Sequence, residues 1–263
     1  MQGLNKIDVF ITILNAGNYA ELTKKAYVSR VKEYLSSCPW QYDKATNEHL
    51  ASYISKQPSE ACMKQTYAAL KLFYKYVMKR ENLFGFIPYP KTHPTIPDLL
   101  PHSEMLRLCN SPLNLKHRLI LNFLYGTGMR NFELCKARWC DIERTDEPVN
   151  PLTIKITGKG QVQRRVPLSK NLYDLLIRYC KEYKLHCNNS DDFIFGKPYS
   201  KRSVAVVCRK IGLTPHQFRH QYAQWLVDNG TELETVRQLL GHKSLRTVEI
   251  YARTKPGKIK TPV

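Results

Sequence analysis

Two imidazoles, a guanidinium and a phenol gather near the C-terminal end of this chain: His216, Arg219, His242 and Tyr251. His220 adds a third imidazole directly after Arg219. Far upstream stand Arg130, in Gly126-Thr127-Gly128-Met129-Arg130, and Lys159, between Gly158 and Gly160. Together these are the groups needed to hold a phosphodiester, stabilise the charge that builds on it and attack it with a tyrosine. None of them requires a metal.

Each piece also has an ordinary reading. Arg130 follows a Gly-Thr-Gly turn and opens an expected helix, close to free backbone N–H groups, which suits an anion; it could equally be a surface arginine. Glu133, one helical turn on, could be its ion-pair partner, and in a phosphate site that pair would hold the arginine in place. Lys159 at a hairpin tip is either solvent-facing or able to reach a DNA groove and protonate a leaving oxygen. His216 and Arg219 share a helix face, and His220 lies one turn from His216. A histidine there could also be a hydrogen-bonded core residue. Arg130 and Arg219 as a pair can hold both non-bridging oxygens of one phosphate. His242 ends Leu239-Leu240-Gly241-His242, where Gly241 suits a helix C-cap. Tyr251 is one of 16 tyrosines. With an ordinary pKa of about 10, it needs a base or a strong positive field to become a nucleophile. The histidines, arginines and lysine would supply one.

The elements that must position these groups read mainly as α, with a small antiparallel β-sheet. Apolar stripes at helical spacing mark four helices within residues 1–90: Ile7, Phe10, Ile11 and Leu14; Tyr27, Val31, Tyr34 and Leu35; Leu50, Tyr53 and Ile54; and Met63 through Val77. Their polar faces carry Lys24, Lys25 and Arg30, and then Lys71 and Lys75, as candidate phosphate contacts. Pro88, Pro90, Pro94 and Pro97 rule out a regular element and predict a linker over 91–97. A second, α+β unit is expected over 98–254, followed by a basic tail over 255–263. Ser103 looks like a helix cap, and helices are expected over 117–125 and 130–137. Alternation on both sides of Gly158-Lys159-Gly160 predicts a hairpin from Leu152 to Leu168, with Arg164 and Arg165 as further DNA contacts. A helix follows over 172–183, a short strand at Phe193-Ile194-Phe195, and consecutive helices from Ser200 to about Tyr251.

Composition points the same way. The formal net charge is +19 over 263 residues. It is spread along the chain: 13 basic against 7 acidic residues over 1–96, and 28 against 15 over 97–263. A surplus shared by both halves suits two units gripping one duplex, and nucleic acid is the expected partner ahead of an anionic membrane. No amphipathic anchor or long apolar run supports a membrane. The eight cysteines form no C-x-x-C pair and no signal peptide precedes them, so reduced thiols in the cytosol are expected. Cys208, His216 and His220 fit no closed zinc site, and no metal or other cofactor is expected.

In this order and context the motifs resemble those of the tyrosine recombinase (phage integrase) family. Gly126 through Leu134 is similar to its first arginine box, and Trp139-Cys140-Asp141-Ile142 to the segment after it. Gly158-Lys159-Gly160 through Leu168 is similar to its lysine hairpin, and His216-Gln217-Phe218-Arg219-His220 to its His-x-x-Arg box. Leu239 through Leu245 with Tyr251 is similar to its nucleophile box. The N-terminal helices look like its SAM-like core-binding domain. The resemblance implies a catalytic α+β domain and a metal-free, ATP-free transesterification. Tyr251 would form a 3′-phosphotyrosyl bond, with Arg130 and Arg219 on the non-bridging oxygens. Lys159 would be the general acid, His216 the acceptor of the tyrosine proton, and His242 a phosphate hydrogen-bond partner. Glu133 and His220 would support them. It further implies a monomer in solution that assembles as a homo-tetramer on paired double-stranded DNA sites. That tetramer would pass through a Holliday junction, with two domains closing on DNA as a clamp. In a prokaryote it would be nucleoid-associated. Phe132 departs from the small polar residue common at its place, and the tail after Tyr251 is short and irregular. A type IB topoisomerase, or a non-cutting DNA-binding protein on the same scaffold, would use the same groups differently.

Overall fold

A computed structural model describes residues 5–37, 42–91, 99–148, 151–158, 161–185, 191–196, 198–242 and 244–252. Lys159, the prolines at 94 and 97, and the tail over 255–263 lie outside the described residues. The chain divides into two compact units, Met1–Pro94 and Thr95–Val263.

In the first unit, helices α1 (Lys6–Ala16), α2 (Glu21–Ser37), α3 (Asn47–Ser55) and α4 (Glu60–Tyr76) share one core. Side chains cap three of their starts: Asn5 accepts from the Ile7 amide, Thr46 from His49 and Ser59 from Cys62. Each satisfies a donor that the first helical turn leaves open. Phe10, Leu14, Val31, Leu50, Leu70 and Phe73 are buried. The Tyr34 hydroxyl meets that of Tyr74 at 2.8 Å and Tyr74 donates to the Tyr42 carbonyl at 3.0 Å, so both polar tips sit in that core with their donors paired. Ile11, counted in the first apolar stripe, is instead 37% exposed on the solvent side of α1.

In the second unit, α5 (His102–Asn110) leads into α6 (Leu115–Thr127), the apolar axis of the domain. Leu119, Ile120, Phe123 and Leu124 of α6 are fully buried. After α7 (Asn131–Leu134) come strands β1 (Ile142–Arg144), β2 (Leu152–Thr157) and β3 (Gln163–Pro167), an antiparallel sheet in that order. Helices α8 (Lys170–Glu182), α9 (Lys201–Arg209), α10 (Pro215–Asp228) and α11 (Leu233–Leu240) follow, and two 3-10 turns, Leu245–Thr247 and Glu249–Tyr251, end the described chain.

Five local readings need correcting. Ser103 lies inside α5, whose N-cap is Pro101 without a side-chain hydrogen bond. The helix expected over 130–137 is only α7, because Arg130 is its extended N-cap residue. The sheet has a third strand, β1, too short to show alternation in sequence. Phe193 makes only an isolated bridge to Arg138. The consecutive helices expected from Ser200 are α9, α10 and α11, but the stretch expected to carry Tyr251 on a helix is two 3-10 turns, so Tyr251 sits on a tight turn. Among the described residues no helix is long and apolar enough to cross a membrane.

Candidate active site

Three turns build the site. The first ends α6, where Gly128 takes a left-handed backbone (φ 59°) that lets the chain reverse into Arg130. A Cβ at Gly128 would lie 2.3 Å from the Tyr222 ring, so close packing also demands glycine there. The second opens α10, where Pro215 at the first helical position and reciprocal Thr214 and Gln217 hydrogen bonds fix the start of the helix. That start carries His216, Arg219 and His220. The third ends α11, where Gly241 (φ 62°) turns the chain toward His242.

These turns bring their backbone carbonyls to the arginines. Arg219, 3% exposed, donates from Nη1 to the Gly128 carbonyl at 2.8 Å and from Nη2 to the Leu240 carbonyl. Arg130 donates from Nη2 to the Gly241 carbonyl at 3.3 Å and from Nη1 to Glu133 at 2.9 Å. Its backbone N–H donates to the other Glu133 oxygen at 2.7 Å. Glu133 is thus the holder of Arg130 that its spacing suggested. Burial pushes the Glu133 carboxyl up, but Arg164 and Arg130 more than reverse this, and it stays below the usual carboxylate range.

The guanidinium groups crowd one another. Burial, then Arg130 and Arg164, bring Arg219 down to about 9. His242, half-buried, is pushed down to about 4 by burial and by Arg219, Arg130 and Arg164. A neutral imidazole held beside three cations marks a place prepared for negative charge. The Thr247 hydroxyl lies 2.7 Å from His242 Nδ1 and also 2.7 Å from the Ser244 carbonyl. With the hydroxyl proton on the Ser244 carbonyl, Nδ1–H donates to Thr247; turning the hydroxyl to Nδ1 instead moves the His242 hydrogen to Nε2, where it can donate to a phosphate.

Tyr251 is 5% exposed, and burial raises it to about 12 despite Arg219. Its hydroxyl is hydrogen-bonded to Nδ1 of His220, not to His216. His216 meets His220 edge-on, with ring centroids 4.4 Å apart. Burial, His216 and Arg219 bring His220 down to about 4, so its ring is neutral beside the phenol and can accept the phenol proton in the tautomer that leaves Nδ1 bare. The proton partner expected at His216 is therefore occupied by His220 in this structure. The helical offset of four residues from His216 was the signal for it.

An open cleft of about 1140 Å³ runs past this cluster, bordered by Arg130, Gly158, Arg165, Arg237, His242 and Thr247. Phe132 also lines it, with the Lys201 ammonium 5.9 Å from its ring centroid. Gly158, beside Lys159, donates to the Val162 carbonyl at 2.8 Å and closes the described part of the hairpin.

The expected DNA contacts divide. Lys25 and Lys71 are exposed. Lys24 pairs with Glu21, Arg30 with Glu33, Lys75 with Glu81, and Arg165 with Glu143, all at the surface. Arg164 differs from them: it lines the cleft, but its side chain is only 7% exposed and its guanidinium pairs with Glu133 and the Leu239 carbonyl. The register explains this. Arg164 lies opposite Ile156 and, like Val166, on the core face of β3, whereas Arg165 faces out. Among the described residues no three His, Cys, Asp or Glu side chains cluster as metal ligands.

The model of the Phage integrase family matches residues 98–257. The tyrosine recombinase XerC of Staphylococcus saprophyticus is 30% identical over 271 residues, covering 92% of this chain and 90% of that protein. The fold is similar to that of the XerH site-specific recombinase bound to its difH substrate before cleavage, with a TM-score of 0.70 and 23% identity over 97% of this chain and 83% of that one. It is also similar to a lambda integrase tetramer bound to a Holliday junction, with a TM-score of 0.69 and 18% identity over 91% of this chain and 76% of that one.

Proposed function

The chain belongs to the phage integrase family, and from that premise we propose that it is a tyrosine recombinase that cuts and rejoins DNA at a specific site. The observation that carries the reading is the cluster itself. Arg130 and Arg219 are held by the carbonyls of two glycine turns, beside a neutral His242 and within reach of a tyrosine paired to a histidine.

In this reading Arg130 and Arg219 grip the non-bridging oxygens of the scissile phosphate, and His242 donates to one of them from Nε2. The Tyr251 oxygen forms the new bond to phosphorus while the bond to the 5′-oxygen breaks. The tyrosine proton passes to the imidazole pair of His220 and His216, and Lys159 protonates the leaving 5′-oxygen. The product is a 3′-phosphotyrosyl enzyme and a free 5′-hydroxyl. Attack by the 5′-hydroxyl of a partner strand reverses the step, and the phosphodiester energy is conserved without ATP. The helical unit over 1–90 serves as the second DNA-gripping domain, and paired sites are joined by a homo-tetramer.

The test uses a synthetic four-way junction and a supercoiled plasmid bearing the same site. Junction resolution into recombinant duplexes without plasmid relaxation is expected. Relaxation of the plasmid with no exchange of strands between duplexes would instead make the protein a topoisomerase-like enzyme.

A further inference from the structure

Arg164 on β3 carries a role that neither DNA binding nor the chemical steps account for. Its Nη1 and Nη2 donate to both oxygens of Glu133 at 3.0 and 2.7 Å, and its Nε donates to the Leu239 carbonyl at 2.7 Å. The Glu133 side chain is wholly buried. Three segments therefore meet at this one guanidinium: the β2–β3 hairpin, the turn that carries Arg130, and the end of α11 that leads to His242. Gly241 makes room for it, since a Cβ there would lie 3.2 Å from the Arg164 Cδ.

The charges explain why the link matters. Glu133 is a buried anion between two cations. With Arg164 present, the trio keeps a net positive charge on its Arg130 side, facing the cleft. Without Arg164, Glu133 would be compensated by Arg130 alone, and an under-compensated buried carboxylate would draw that guanidinium inward. The geometry points to Arg164 as a positioning residue for strand cleavage, which neutralises Glu133 and ties it to α11 so that Arg130 presents its charge to the phosphate. A phosphate site would otherwise have its own carboxylate as competitor.

This inference rests on the recombinase reading, and two measurements on the full chain keep them apart. The first is hydrogen exchange at the Arg130 amide, which donates to Glu133 at 2.7 Å, in the DNA-free protein. Arg164→Met should exchange about tenfold faster there than the parent. Unchanged exchange overturns the proposal whether or not the protein cuts DNA. If Arg164→Met does not fold, Arg164→Lys carries the same comparison.

The second is single-turnover covalent trapping on a nicked duplex, with its site first recovered by trapping from a random-sequence pool. Arg164→Met should form adduct on the order of 10²-fold more slowly with duplex binding unchanged, and Arg164→Lys should recover part of the rate. A methylphosphonate at the scissile position removes one negative charge and should shrink the Arg164→Met deficit. A deficit of equal size on both substrates, or no deficit, overturns the proposal. If the parent itself forms no adduct, the recombinase reading falls and the cleavage role with it, while the exchange result still decides whether Arg164 holds Arg130.

Discussion

At the scale of single residues, the site is a set of charges held against their own preferences. Arg219 is buried among other arginines, and carbonyl oxygens, not carboxylates, satisfy it. That choice leaves its charge available to an anion. His220 and His242 are held neutral, each with a folded pKa of about 4 against an unfolded value of about 6.5. Between those values the unfolded chain binds more protons, so stability is complete above the upper one and is lost as pH falls toward the lower. Thermal melting should therefore shift down between about pH 7 and about pH 5, and His220→Gln should lessen that shift; a melting point flat across this window contradicts it. Much of this site was legible from residue types and spacing: Arg130 with Glu133, the His216 face, and Gly241 before His242. What was not legible is which imidazole meets the phenol. His216 and His220 share one face of α10 by spacing, and the 3-10 turn that carries Tyr251 sets its hydroxyl against His220. Arg164 was legible in principle, because it shares the parity of Val166, but a charge count alone placed it outside.

At the scale of elements, turns decide more than helices do. The four N-terminal stripes and the hairpin could be read because apolar periodicity survives wherever one face is buried. The short pieces could not: β1 has three residues, α7 has four, and Tyr251 rides a 3-10 turn of three. Lengths like these carry no period, and tertiary contacts set them. Gly128 shows the same dependence from the other side. Its left-handed backbone and the Tyr222 ring at 2.3 Å from a notional Cβ leave no space for a side chain. Gly128→Ala should cost about 3 kcal/mol in urea unfolding and displace the carbonyl that holds Arg219. A cost below about 1 kcal/mol would mean the turn relaxes freely.

At the scale of the whole molecule, the charge of +19 is the broadest signal and the least specific. Several surface cations already have local partners, so the excess acts as a field more than as a row of dedicated contacts. Duplex affinity should fall about 10³-fold between about 50 and about 200 mM salt, and Lys25→Ala or Lys71→Ala should each reduce the slope by about one ion without changing site preference. A slope unchanged in both variants would remove those lysines from the interface. Every other role proposed for the site depends on one phenol becoming covalently joined to DNA. Incubating the protein with a nicked suicide duplex, digesting the trapped adduct and mapping it by mass spectrometry tests that directly. A 3′-nucleotide on Tyr251, absent from Tyr251→Phe, is expected. An adduct on another tyrosine, or one formed undiminished by Tyr251→Phe, would contradict it.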